Sequence, residues 1–359
     1  MIDKKTIEEI LNIAVNAPSG NNSQPWRFEV SENKISIFNL PNSDKFLFNY
    51  QQRGSFIAHG ALIENILIVA SEKGYEGNVE IFPNKEDKNL VSVITLQESS
   101  AKYKHNNLYP CILKRTTNRK PFEKVILKDN DRKEIYKFFE YLDDFGIKII
   151  LTEDKNTISE LSRSLSMADR LIFENFDIHK AFFAKVSWTR QEEAEKGEGL
   201  YVGTKELSPV MKFLFKNFFS NWNFLKILSK IKISQKAGKQ REKLYNNCSA
   251  IGLVFAESDL PEDFINTGRI LQLFWLKITS LGLSFQPVSA GLLYIGQRLK
   301  KENVSEFSKN QVDFINKAYQ NILNIFNNPK EIPTFSFRIG YSEPPGASSI
   351  KRAPSILWK

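Results

Sequence analysis

The sequence predicts an α+β fold made of two fused halves, a pseudo-dimer with antiparallel and mixed sheets around long central helices. Three observations carry that expectation. HGALIENILIVASEKGY places Gly60 and Gly74 around an apolar helical run. TGRILQLFWLKITSLGL places Gly268 and Gly282 around another at the same separation. Each run is followed by a strand-like segment, NVEIFP or LSFQPVS, and a unit that recurs in this way points to two related halves packed together.

In chain order, Thr6 and Glu9 fit a capping box, and Ile7, Ile10, Leu11 and Ala14 recur at helical spacing, which predicts a first helix over about 6–16. Pro18 and Gly20 stop it. Gln24 precedes Pro25 and is pushed toward extended geometry, and the alternation in Trp26 to Val30, with KISIFNL beyond a Glu32-Asn33 turn, predicts a hairpin. The stretch APSGNNSQPW between helix and hairpin is a loop. Its free backbone N–H groups and short side chains Ser19, Asn21, Asn22 and Ser23 suit something flat or anionic, and they equally suit a well-capped turn. Gly74 and Gly282 read as C-caps of the two long helices. Later, DNDRKEIYKFFEYLDDFG predicts a helix, and IKIILTED and SAIGLVFAES predict strands, the second directly before the second long helix. The halves are expected at 1–108 and 109–359, with a basic aromatic insert at about 190–243.

Of the 359 residues, 42% are hydrophobic and 25% charged, ordinary values for a chain that buries a sizeable core. A net charge of +9 suits an anionic ligand, a nucleic acid or a membrane surface without choosing among them. Cys111 and Cys248 form no closely spaced pair, which argues against a disulfide framework or zinc knuckle and fits a reducing compartment. The N-terminal run carries acids and lacks a signal-peptide layout, and no segment reaches about 18 uncharged apolar residues, so a cytoplasmic protein is expected. His59, His105 and His179 lack metal-ligand spacing, and no metal site is expected.

KRTTNRKPF sets Arg115, Thr117 and Arg119 at alternate positions, so that in an extended or turn conformation their side chains converge on one side. Two guanidiniums and a hydroxyl meet the needs of a phosphate monoester, and the same pattern also describes a solvated basic loop. Near the C-terminus, Lys351 and Arg352 form a second basic pair that suits the same phosphate. No GxGxxG fingerprint follows a strand and no Walker loop is present. The insert PVMKFLFKNFFSNWNFLKILSKIKISQKAGKQREK reads as an amphipathic helical pair on the core, or as a lid to which Trp188 and Arg190 belong, with contact to an anionic membrane ranked last. Nucleic-acid binding is discounted.

In this order along almost the whole chain, APSGNNSQPWRF, the Gly60–Gly74 helix, RTTNRKPF, GRILQLFWLKITSLGLSFQPVS and RIGY with its trailing KRAP resemble the flavin-dependent nitroreductase superfamily. More narrowly, they are similar to its tandem single-chain branch, which includes the Acg-type proteins. The resemblance implies a nitroreductase-like fold in which two halves imitate the usual homodimer, as a monomer or weak homodimer. It implies that Arg115, Thr117, Arg119 and Arg352 contact the phosphate and ribityl chain of FMN, with Arg241 also reaching the ribityl chain. Pro18, Ser19, Gly20 and Asn22 would line the isoalloxazine ring, and Pro287, Val288 and Ser289 would sit near flavin N5. The chemistry would be carried by FMN without a side-chain base: hydride taken from NADH or NADPH onto N5, then electrons passed to a nitroaromatic, quinone or similar small acceptor. Because each motif occurs once, one flavin site per chain is expected. The alternative is an FMN-storing or FMN-sequestering protein whose lid shuts out the nicotinamide.

Overall fold

A computed structural model describes residues 2–140, 145–229 and 232–359. Helix α1 (Lys4–Ala14) buries Ile7, Ile10, Leu11 and Ala14. Its cap is Asp3 rather than the expected Thr6: the Asp3 carboxylate accepts from the Thr6 amide at 2.9 Å and the Thr6 hydroxyl at 2.7 Å. A full negative charge at the positive end of the helix dipole outcompetes a neutral hydroxyl, and the helix starts earlier. Strands β1 (Trp26–Ser31) and β2 (Lys34–Asn39) form the predicted hairpin, with Glu32 left-handed in the turn. They are followed by α2 (Arg53–Glu72), β3 (Tyr75–Ile81) and β4 (Leu90–Glu98).

The chain continues through α3 (Asp129–Glu140), β5 (Ile147–Thr152), α4 (Lys155–Leu165), α5 (Met167–Leu171) and α6 (Phe176–Ala184). A short pair, β6 (Val186–Ser187) and β7 (Leu200–Tyr201), brackets α7 (Arg190–Lys196). The insert folds as α8 (Pro209–Leu214), a π-helical turn over Phe215–Phe219, α9 (Trp222–Ser229) and α10 (Ile233–Tyr245). Then come β8 (Ala250–Ala256), α11 (Pro261–Ser280), β9 (Ser284–Pro287), α12 (Ala290–Lys301), α13 (Lys309–Ile325), β10 (Ile332–Gly340) and β11 (Ile356–Trp358). The end of the helix expected after Asp129, at 141–144, and insert positions 230–231 lie outside the described residues.

One sheet runs β11-β1-β2-β4-β3 and the other β5-β8-β10-β9. Strand β11 pairs parallel to β1, Phe28 opposite Ile356, so the far end of the chain completes the sheet built by its beginning. Between the sheets cross the two long helices, α2 and α11. A Cβ at Gly60 would lie 1.9 Å from the Ile265 carbonyl oxygen, and one at Gly268 would lie 2.0 Å from the Ile57 carbonyl oxygen. The contact is reciprocal, each glycine receiving the carbonyl three residues before the other, and only hydrogen at both Cα atoms permits so close a crossing. Buried polar pairs extend the contact: Gln272 donates to Asn65 at 2.8 Å and Arg269 meets Glu64 at 2.6 Å. Gly74 and Gly282, at φ 86° and 72°, end the helices as predicted. Among the described residues one helix, Tyr50–Glu72, is long and apolar enough to cross a membrane, and 94% of its apolar window is buried inside the fold.

Candidate functional site

The loop after α1 is bent by three left-handed residues, Asn21, Asn22 and Gln24, the last of them against the extended geometry expected before Pro25, since Ser19 and Arg352 hold it by hydrogen bonds. Asparagine tolerates this conformation better than most side chains. The C-terminal segment fixes the bend. Asn22 Nδ2 donates to the Ile350 carbonyl at 2.9 Å, while Lys351 Nζ donates to the Ala17 carbonyl at 2.8 Å and Asn22 Oδ1 at 2.9 Å. Gln24 Oε1 accepts from the Arg352 amide at 2.8 Å, and Gln24 Nε2 donates to the Gly197 carbonyl at 2.9 Å.

Against this loop lies a cavity of about 170 Å³ whose cations are Arg115, Arg119 and Lys351, and no carboxylate lines it among the described residues. Arg115 Nη2 donates to the Asn16 carbonyl at 2.9 Å, and the guanidinium lies 4.5 Å from the centre of the Trp275 ring. Its Nε is buried without a hydrogen-bond partner. Burial pushes the Arg115 pKa down to about 10, and burial with the nearby Arg241 does the same for Arg119. Burial, with Arg115 alongside, brings Lys351 down to about 7. Cations pressed together without a counter-ion favour an anion between them, and two guanidiniums, an ammonium and the Thr117 hydroxyl supply the donor set of a phosphate monoester.

Arg119 also lines two further cavities, of about 190 and 620 Å³, so the three adjoin at this one side chain. The middle one is walled by Asn21, Phe46, Phe48, Pro287, Ser289 and Tyr245. The largest lies beneath the insert, against Met211, Leu214, Phe215 and Phe219. Asp169 of α5 borders both. It accepts from the Tyr245 hydroxyl at 2.6 Å and the Ser289 hydroxyl at 3.3 Å, and it meets Arg241 at 3.5 Å. Lys205 borders both too, its ammonium 4.7 Å from the Phe182 ring centre. Burial, then Arg119 and Arg241, depress its pKa well below the lysine range.

Of the residues expected from the sequence, Pro18, Ser19, Asn22, Arg115, Thr117 and Arg119 meet around the first cavity. Gly20 lies beside it, where an added Cβ would sit 3.0 Å from Asp44 Oδ2. Pro287, Ser289 and Arg241 meet at the middle cavity. Val288 does not reach a cavity wall: it is fully buried, and its amide is spent on the Ser336 carbonyl at 2.8 Å. Arg352 also departs from expectation. It turns to the Gln24 and Ser23 carbonyls at 2.8 and 3.3 Å, with Glu198 at 3.6 Å, and its neighbour Lys351 faces the cavity instead. Trp188 packs on Phe215, and Arg190 donates to Glu193 and the Ser348 carbonyl, both outside the cavities. Asp169, Lys205 and Tyr245 were not read from the sequence, for no motif surrounds them. His59 is fully buried against Asn39, and burial brings it down to about 3. Among the described residues no group of His, Cys, Asp and Glu is arranged to hold a metal ion, and both cysteines are buried and free.

No protein-family model matches the chain. A protein named only as uncharacterized, from Mycobacterium tuberculosis strain CDC 1551, is 22% identical over 358 residues, which is 97% of this chain and 47% of that protein. The putative NAD(P)H nitroreductase acg of the same species is 28% identical over 123 residues, 34% of this chain and 37% of that one. The chain is similar to the Acg-type nitroreductases. A second putative NAD(P)H nitroreductase of that species is 25% identical over 120 residues, 33% of this chain and 35% of its own. The chain thus spans about half the length of the first relative and about a third of the nitroreductases. Among solved structures, iodotyrosine deiodinase bound to FMN and 3-iodo-L-tyrosine overlaps 68% of this chain and 95% of its own, at 14% identity and a TM-score of 0.36. The FMN-dependent nitroreductase NfnB of Mycobacterium smegmatis, in complex with NADPH, overlaps 65% and 86%, at 12% identity and a TM-score of 0.34. Overlaps that loose leave the Acg-type resemblance resting on sequence.

Proposed function

We propose that this chain is an FMN-dependent oxidoreductase of the nitroreductase family with one flavin site. The observation that carries the reading is the first cavity, where three cations gather, no carboxylate balances them among the described residues, and a guanidinium Nε is left without a partner. Arg115, Thr117 and Lys351 suit the phosphate and Arg119 the ribityl chain. Pro18, Ser19 and Asn21 would line one edge of the isoalloxazine ring, with Pro287 and Ser289 in the adjoining cavity. Bound FMN would supply the redox chemistry, accepting hydride from NAD(P)H and reducing a nitroaromatic, quinone or similar small acceptor.

The protein's own part is electrostatic and steric. The Thr204 carbonyl orients Arg119 at 3.2 Å, and Asp169 holds Tyr245 and Ser289 in the wall of the middle cavity. The reciprocal crossing at Gly60 and Gly268 supports two halves, 1–108 and 109–359, standing in for the two subunits of a homodimer, in a chain that is a monomer or weak homodimer.

A second reading is favoured by the insert, since α8, the π-helical turn and α10 wall the largest of the three cavities and Arg241 of α10 reaches Asp169. A lid that stayed shut would make the chain a holder of FMN from which NAD(P)H is excluded. Anaerobic mixing with excess NADH and then NADPH, followed at the oxidised-flavin band near about 450 nm, separates the two. Rapid bleaching by either nicotinamide is expected. Bleaching by dithionite alone establishes the closed-lid reading, and failure to retain FMN after reconstitution overturns both.

A further inference from the structure

We propose that the cavity beneath the insert binds an apolar molecule carrying a single anionic group, such as an aryl or long-chain carboxylate. At about 620 Å³ it has the size of a site for one small organic ligand. Its wall includes Ile172, Phe182, Met211, Leu214, Phe215 and Phe219, a surface that gains by exchanging water for an apolar body. Its charged rim is basic: Arg119, Lys205, Lys236, Arg241 and Lys243 face only Asp169 and Glu206. Both acids are engaged, Asp169 by Tyr245, Ser289 and Arg241, and Glu206 by the Gly346 amide at 2.7 Å.

Lys205 stands where this cavity meets the middle one, and its ammonium has an aromatic face but no hydrogen-bond acceptor among the described residues. Lys205 does not line the first cavity, so a phosphate held by Arg115 and Lys351 leaves it uncompensated. One unpartnered ammonium at the end of an apolar chamber matches one charge on an apolar body. Binding stands apart from the flavin reading.

Two probes that share a ring system and differ by one sulfonate test this: 8-anilinonaphthalene-1-sulfonate and uncharged N-phenyl-1-naphthylamine. Equilibrium dialysis against the full chain, with and without FMN, is expected to show one saturable site per chain with roughly tenfold or greater preference for the sulfonate. Lys205→Met is expected to bring the sulfonate down to the affinity of the amine and leave the amine unchanged, which also certifies the folded cavity. Lys205→Arg is expected to restore the preference. Equal affinity of the native chain for the two probes overturns the proposal, as does a Lys205→Met loss shared equally by both. Flavin absorbance in the same samples separates the two readings. Preference without flavin retention overturns the flavin reading alone, and flavin retention without preference overturns this one.

Discussion

Replacing Arg115 with methionine should move stability and cofactor affinity in opposite directions. Burial holds the Arg115 pKa down to about 10, which corresponds to roughly 3 kcal/mol against the charged form in the flavin-free protein. The substitution forfeits the bond to the Asn16 carbonyl, about 1 kcal/mol, and the stacking on Trp275, about 0.5–1 kcal/mol. Methionine fills much of the same space and adapts to irregular gaps. Flavin-free Arg115→Met is therefore expected to be about 1–2 kcal/mol more stable than the native chain, read by urea unfolding of flavin-stripped protein. FMN affinity, read by titration with flavin, is expected to fall about 10- to 150-fold through loss of a charge-assisted contact. A variant that unfolds at lower urea and binds FMN as tightly as the native chain would refute the reasoning and make Arg115 a structural residue.

Further outcomes at three other residues can be measured directly. In the flavin-free protein Lys351 is neutral above about pH 7, so binding a phosphate dianion there requires proton uptake. FMN affinity should fall by up to about tenfold per pH unit above 7, and Lys351→Met should bind weakly without that dependence. Because the unfolded lysine keeps its proton to about 10.4, flavin-free stability should receive a rising contribution from pH 7 upward, absent in Lys351→Met. Asp44, raised to about 6 by burial, binds more protons folded than unfolded between about pH 4 and 6, so its contribution to stability falls across that window. Asp44→Asn should flatten that fall and gain about 1–2 kcal/mol at pH 7 in thermal or urea unfolding. Gly268→Ala should cost at least about 2 kcal/mol despite a helix-propensity gain of about 1, because the new methyl meets backbone rather than a movable side chain.

What the sequence revealed and what it hid follow one rule: local pattern is legible, tertiary phase is not. The hairpin and the C-terminal glycines of the long helices rest on neighbours in the chain and lie where expected, whereas both helices begin seven residues before the glycines that open the predicted runs, at Arg53 and Pro261, because packing of one helix on the other extends them past the local pattern. Gly60 and Gly268 were visible as the start of two similar runs. That they meet was not, since a glycine admitting a second backbone has the same one-letter record as one that ends a turn. Arg352 and Lys351 are adjacent, and which of the two side chains faces the cavity is settled by distant contacts, Lys351 with Ala17 and Asn22 and Arg352 with Gln24. The family resemblance puts Val288 near flavin N5, but its amide is spent on the Ser336 carbonyl of β10. Lys205 and Asp169 carry no motif because their surroundings arrive from α6, α10 and the β9–α12 junction.

The clasp between Asn22 and Ile350 joins residues 328 positions apart, and the same clasp sets the wall against which the first cavity is built. A pocket closed by the two distant ends of the described chain has no partly folded version. It therefore forms late, after the slow long-range closures are complete. A ligand seated there selects the whole native fold over every partially opened one, and saturation acts on stability by mass action wherever in the chain a weakness lies. Flavin added during refolding should thus rescue destabilised variants far from the cavity, such as those at the helix crossing, as readily as those beside it.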